Sequence, residues 1–266
     1  MVPVSIVIIT KNEAEGIADC LKMAVLISDD IVIVDNDSTD ETLAIALAHG
    51  CRIYQDCWKG YGANKNAGIE QAKYDWILSI DADEVPDLEL IRSLHNLKLN
   101  DISSVYDIKF RLYFGKKLVR FGYWGRKHHV RLFNRKLVKW SEQRKVHENL
   151  IFPREIKKKK IEGCLHHYSV KDDHECKSKA IFYAKLSAEE YLQRGKEANF
   201  INLFISPAFS FFMGYILLLG FLDGREGWIV SKTIFMNKWL KYHHLNRKKQ
   251  GRRKSSFLKS DLTVEY

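Results

Sequence analysis

Five cysteines, Cys20, Cys51, Cys57, Cys164 and Cys176, are all that this chain of 266 residues holds. Their number is odd and no C-x-x-C pair occurs, so they suggest neither a zinc site nor a disulfide framework. No G-x-G-x-x-G follows the first apolar run, so a dinucleotide-binding Rossmann domain fits poorly. That run begins directly after Met1, without a charged leader and cleavage site, and no secretory signal is expected. Helix-turn-helix, zinc-finger and aromatic RNA-binding motifs are also missing. The net charge of +10 is therefore the only support for nucleic acid, and no nucleic-acid partner is expected.

What the chain does hold is apolar material in an ordered pattern. At 46% hydrophobic residues it can build one α/β domain with an appendage. The run 4–10 (VSIVIIT) is β-branched throughout and reads as a strand buried on both faces. Runs at 30–36, 51–56 and 74–81 predict three further strands. Between them, Asn12-x-x-Glu15 and Ser38-x-x-Glu41 have capping-box spacing, Gly50 is placed to stop a helix over 43–49, and 61–73 can form a third helix. A βαβαβαβ alternation results, with polar and acidic residues at the carboxyl ends of successive strands. Open parallel sheets bind ligands along that edge.

Asp81-Ala82-Asp83 closes the fourth run. Carboxylates two residues apart at a strand exit point the same way and suit a divalent cation together with a diphosphate. Asp35, at the end of the second run, can accept the N3–H of a uracil. Asp81 can take ribose hydroxyls, Glu13 is a further ribose candidate, and Asp83 can ligate Mg²⁺ or Mn²⁺ through oxygen. Lys65 lies in a glycine-bearing turn entering a helix, which suits an anionic ligand. Asp37 and Asp40 read as turn and helix N-terminal residues.

The segments TKNE at 10–13, VDNDSTDET at 34–42, GANKNAGI at 62–69 and SIDADE at 79–84 resemble, in order and spacing, the family-2 glycosyltransferases of GT-A fold. The nearest resemblance is to the bacterial lipopolysaccharide core β-1,4-glucosyltransferase group. It implies an α/β, Rossmann-like fold with a mostly parallel central sheet. It also implies a nucleotide-sugar site drawn from Thr10, Asn12, Glu13, Asp35, Lys65, Asp81 and Ala82. Further on, HHVRLF at 128–133 and KVHE at 145–148 are similar to the family's R-L-F and V-H-E segments. By that match Glu148 is the candidate catalytic base, and Arg131 and His147 are candidates for the acceptor or diphosphate. His167, in the family-like His167-Tyr168-Ser169, is a candidate to complete the shell of a cation held by Asp83.

The carboxyl third differs in character. Residues 175–194 read as a mixed-charge helix with a stripe of Ile181, Phe182, Lys185, Leu186, Glu189 and Leu192. Residues 198–222 carry no charge for 25 residues, although Pro207, Gly214 and Gly220 interrupt them. That length is enough for a membrane span. The eleven Lys and Arg against four Asp and Glu over 223–266 resist export of the tail, however. A broken, re-entrant or interfacial hairpin is the favoured reading. A core helix pair or a dimer interface is the other.

Together these readings give a donor-binding half over 1–100, an acceptor half with the base over 101–170, a helical membrane-associating region over 171–240 and a basic tail over 241–266. The expected activity is inverting transfer of a hexose, most simply glucose from UDP-glucose, to a lipid-linked saccharide at the cytoplasmic face of the inner membrane. Transfer to polyprenyl phosphate or a peptide is the alternative within enzymes. A non-catalytic basic module binding nucleic acid or membrane is the alternative outside them.

Overall fold

The computed structural model describes residues 1–142 and 149–261. It divides into two compact units, residues 1–120 with 124–169, and residues 121–123 with 170 onward. The first unit contains β1 (Val4–Thr10), α1 (Ile17–Ala24), β2 (Ile31–Asp35), α2 (Thr42–Ala48), β3 (Arg52–Gln55), α3 (Tyr61–Glu70), β4 (Trp76–Asp81), β5 (Glu84–Pro86) and α4 (Leu88–Asn96). It continues through β6 (Ser104–Phe114), β7 (Lys117–Leu118), β8 (His128–Asn134), β9 (Lys139–Trp140), β10 (Leu150–Ile151) and β11 (Lys157–Val170).

The sheet order is β3-β2-β1-β4-β8-β6-β11-β5, with β7 beside β6, while β9 and β10 form a separate two-stranded ribbon. β3, β2, β1 and β4 are parallel. The pairings β4 to β8, β8 to β6 and β11 to β5 are antiparallel. The sheet is thus mixed, and the mostly parallel sheet expected from the sequence describes only its amino-terminal half. The parallel half follows from composition. Every residue of β1 and β2 is buried. Ile6 and Ile8 face Ile17 and Leu21 of α1 and Leu90 and Leu94 of α4, whereas Val7 and Ile9 join Ile69, Phe133 and Trp140 on the opposite side. Each fully buried isoleucine contributes roughly 2 kcal/mol of transfer free energy.

The helix starts differ from the capping boxes read in the sequence. α1 begins after Gly16 and α2 after Glu41, neither with a side-chain cap. Asn12 and Ser38 join the two loops to each other instead. The Asn12 N–H donates to Ser38 Oγ at 2.9 Å, and Asn12 Oδ1 accepts the Thr39 N–H at 2.8 Å. Asn12 takes a positive φ of 54° to do so, a conformation asparagine tolerates better than most residues. Gly50, with φ of 73°, ends α2 as expected. Gly68 lets α3 lie on the sheet, because a Cβ there would collide with Val7 and Val34.

In the second unit α5 (Asp173–Gln193) lies against α7 (Arg225–Asp261), with α6 (Ser206–Phe212) between them in sequence. Asp173 pairs with Arg225, Cys176 with Thr233, Ala180 with Asn237 and Glu189 with Lys248. Both numbers rise together, so the helices run parallel and the intervening chain must return along the length of α5. The buried residues of α5 are Cys176, Ala180, Ala184, Ser187, Ala188 and Glu190, not the stripe expected from hydrophobicity, and Phe182 is exposed. Small side chains four apart let α7 approach closely, which a stripe of large residues would prevent. A boundary at 240/241 falls inside α7, so the start of the basic tail is continuous helix.

The uncharged stretch is broken, as its proline and glycines imply. Wide π-type turns at Ile201–Ile205 and Met213–Leu217 flank α6, and a left-handed Leu219 precedes the 3₁₀ turn Gly220–Asp223. Among the described residues no helix is long and apolar enough to cross a membrane. The turn is tied to Phe121 and Gly122: the Phe121 N–H donates to buried Asp223 at 2.8 Å, and the Gly122 N–H to the Leu218 carbonyl at 2.9 Å.

Candidate active site

The site is assembled where β4 stops. β1 lies between β2 and β4, with Thr10 in register with Asp35 and Ile9 with Asp81. Thr10 and Asp35 are therefore neighbours at the carboxyl edge. Asp35 is fully buried; its Oδ2 accepts the Ser38 N–H at 3.0 Å. Asp35 Oδ1 and the Thr10 hydroxyl are buried without a hydrogen-bond partner among the described residues. Buried polar atoms are rarely left so in a finished structure. An acceptor and a hydroxyl at one strand edge suit the polar rim of a nucleobase.

Only Ala82 and Asp83 separate β4 from β5, yet the two strands occupy distant places in the sheet order. β4 pairs with β1 and β8, while β5 pairs with β11 so that His167 stands opposite Glu84. This change of partner swings Asp83 toward β11. His167 Nε2 lies 3.0 Å from Asp83 Oδ2, a contact between residues 84 apart in the chain. Burial alone would lower the His167 pKa; the hydrogen bond to Asp83 and the charges of Glu84 and Asp81 outweigh it and raise it.

Asp81 is held from within the fold. Lys65 Nζ is 2.9 Å from its Oδ1 and Arg131 Nη2 is 3.0 Å from its Oδ2. Opposed to its burial, these two cations keep the Asp81 carboxyl well below the usual carboxylate range. Lys65 is fully buried over the ring of Trp140, 4.6 Å from its centroid, and does not stand at the mouth of the α3 turn as its motif implied. Arg131, expected toward acceptor or diphosphate, is buried over Phe110 and bonded to Asp81 and Glu84.

Glu84 carried no role in the sequence reading. It is fully buried, accepts the Asp81 N–H at 3.0 Å and pairs with Arg131. Burial pushes its pKa up to about 7, Arg131 opposing and Asp81 reinforcing. Its position in SIDADE, one residue after the acidic pair, was the available signal. Of the other expected residues, Asn12 is committed to the loop contact described above, the Glu13 N–H donates to Thr42 Oγ1 at 2.8 Å, and Ala82 is buried. Asp40 accepts from Ala14 and Thr42, as a turn residue would. His147 and Glu148 lie outside the described residues.

Asp83 and His167 offer one oxygen and one nitrogen, partly exposed and 3.0 Å apart. That donor pair fits Mn²⁺ and, less well, Mg²⁺.

Residues 5–159 match the family described as Glycosyl transferase family 2. An uncharacterized glycosyltransferase of Rickettsia prowazekii is 28% identical over 254 residues, 91% of this chain and 86% of that one. The lipopolysaccharide core biosynthesis glycosyltransferase LpsC of Rhizobium meliloti is 26% identical over 242 residues, 87% of each. Among solved structures, glucosyl-3-phosphoglycerate synthase from Mycobacterium tuberculosis superposes with a TM-score of 0.35 at 21% identity, over 41% of this chain and 44% of that one.

Proposed function

Because the chain belongs to glycosyl transferase family 2, and is an enzyme on that ground, we propose that it moves a hexose from a UDP-sugar to a lipid-linked saccharide with inversion. The observation that carries this reading is the meeting of Asp83 with His167 at the same sheet edge as a buried Asp35, whose Oδ1 has no hydrogen-bond partner among the described residues. Asp35 and Thr10 receive the uracil edge, Asp81 the ribose, and Asp83 with His167 a divalent cation. When bound, that ion neutralises charge on the leaving diphosphate. Lys65, Arg131 and Glu84 position Asp81 rather than touch substrate. Glu148 takes the proton of the acceptor hydroxyl as its oxygen bonds to the anomeric carbon and the carbon–oxygen bond to the diphosphate breaks.

The likeness to LpsC across 87% of both chains supports the lipopolysaccharide core as the acceptor; glucose is the hexose to try first. The helical unit supports work at a membrane surface. Phe200, Phe204, Phe209, Phe212, Leu217 and Leu222 are each 47% or more exposed along the returning segment. This many exposed large apolar side chains on one short segment support an interaction surface. Cationic residues of α7 add attraction to anionic lipid, about 1 kcal/mol each near the surface. The cytoplasmic face of the inner membrane is the proposed place.

Calorimetric titration with UDP and UDP-sugars, in Mn²⁺ and in EDTA, tests the donor site. Cation-dependent binding that Asp83→Ala abolishes, with Glu148→Gln binding the donor but failing to turn over, is the expected result. Equal affinity with and without the ion would overturn the cation assignment.

A further inference from the structure

A second cluster of ligating side chains lies on the other face of the β5–β11 pair. Alternation along β11 places Cys164 and His166 on one side and Leu165 and His167 on the other, so this cluster is separated by the strand from the candidate donor site. Asp87, just past β5, completes it. Asp87 Oδ2 is 2.8 Å from Cys164 Sγ, and Cys164 Sγ is 3.7 Å from His166 Nε2. Among the described residues, these are the one set of three carboxylate, thiol and imidazole ligand atoms lying within 4.8 Å of one another.

The surroundings hold each group in place. Asp87 caps α4, its Oδ1 accepting the N–H of Leu90 at 2.7 Å and of Cys164 at 3.1 Å, which leaves Oδ2 directed at the cluster. Gly163, with φ of 89°, brings β11 so near α4 that a Cβ would strike the Leu90 backbone. On the far side of the imidazole, the Tyr113 hydroxyl lies 2.8 Å from His166 Nδ1. A hydroxyl that accepts the Nδ1 proton leaves Nε2 with its lone pair toward Cys164, the tautomer a metal requires. A nucleophilic role for the thiol fits poorly, since burial and the neighbouring carboxylate push it up to about 12.

We propose that Asp87, Cys164 and His166 bind a zinc ion at a site distinct from the candidate donor cation. Sulfur and imidazole select zinc over Mg²⁺ and Mn²⁺, whereas Asp83 with His167 does not. Tetrahedral zinc separates thiolate sulfur from imidazole nitrogen, and from carboxylate oxygen, by about 3.5 Å. The sulfur-to-nitrogen distance already meets this, and the oxygen must withdraw by about 0.7 Å from its hydrogen bond. Binding exchanges the Cys164 thiol proton, released to solvent, for the metal–sulfur bond, and leaves a fourth position for water. The ion joins β5 and the start of α4 to β11. The inference stands apart from the glycosyl-transfer reading.

The test is metal content and cobalt spectroscopy on the purified full chain. Wild type and Asp83→Ala should each retain about one zinc per chain after gel filtration, and Cys164→Ser and His166→Ala should lose most of it. Co²⁺ replacing zinc in wild type should show a thiolate-to-metal charge-transfer band that Asp83→Ala keeps. The band needs only folded wild type, so it decides the matter even if Cys164→Ser fails to fold. Absence of both zinc and the band, or zinc retained by Cys164→Ser and lost by Asp83→Ala, would overturn the proposal.

Discussion

Lys65 Nζ sits 2.9 Å from Asp81 Oδ1, and the lysine is fully buried while the aspartate is partly open to solvent. Lys65 at Oδ1 and Arg131 at Oδ2 neutralise the carboxylate from inside the fold. Removing one partner of a buried pair leaves an uncompensated charge, which costs about 3 kcal/mol or more. Lys65→Met should therefore lower the unfolding free energy measured by urea titration by about that amount and weaken UDP binding as Asp81 loses its support. Unchanged stability would show that the carboxylate does not need the lysine.

Asp35→Asn changes no packing, since the side chain keeps its size and its bond from the Ser38 N–H. It replaces an acceptor of undivided charge with an amide that offers N–H donors in half its orientations. A hydrogen bond to a charged group is worth about 1.5–3 kcal/mol, so UDP affinity should fall roughly tenfold to a hundredfold. Thermal unfolding run alongside should show near-native stability. Unaltered affinity would place the base elsewhere.

The strands carrying this site were readable because β-branched runs of period one have few other uses, and the acidic residues at their ends marked the ligand edge. The antiparallel half was less readable. β5 is three residues long, and nothing in its sequence says that it leaves β4 to pair with β11. That pairing alone brings His167 to Asp83, and it also turns Cys164 and His166 toward Asp87. Cysteine spacing could not reveal the latter group, because a C-x-H pair on a strand acquires its third member from 77 residues away. Motifs name residues and not directions, so they do not say that Lys65 and Arg131 turn inward onto Asp81 or that Glu84 joins them there. In α5, hydrophobicity pointed to large residues where close helix packing selected alanines.

The exposed aromatic row of the helical unit gives a separate prediction. Replacing Phe204 and Phe209 with glutamate removes apolar area and adds charge repelled by anionic lipid. Neither is part of a packed core, with exposures of 55% and 58%, so folding should survive. Sedimentation with vesicles containing phosphatidylglycerol should bring down wild type and leave the double variant in solution. Equal sedimentation of both would assign binding to the cationic helix alone.

Two groups make the pH dependence of the cation-free protein unusual. The folded-state pKa of Glu84 is raised to about 7 and that of His167 is raised above its ordinary value. In each case the native state binds more protons than the unfolded chain across the shift, so each contribution to stability is full at low pH and fades as pH rises. For Glu84 the fading interval runs from about 4.5 to about 7, with a limiting slope of about 1.4 kcal/mol per pH unit; for His167 it begins near 6.5. Urea titrations across that range should show stability falling toward neutral pH, and Glu84→Gln should flatten the acidic part of the fall. Cation binding has the opposite sign. It needs His167 neutral, so a proton competes with the ion and Mn²⁺-dependent UDP affinity should rise with pH. His167→Ala should bind the ion more weakly and with less pH dependence through that region. A variant that keeps the full wild-type rise would remove His167 from the cation's shell and leave Asp83 to hold the ion with the diphosphate alone.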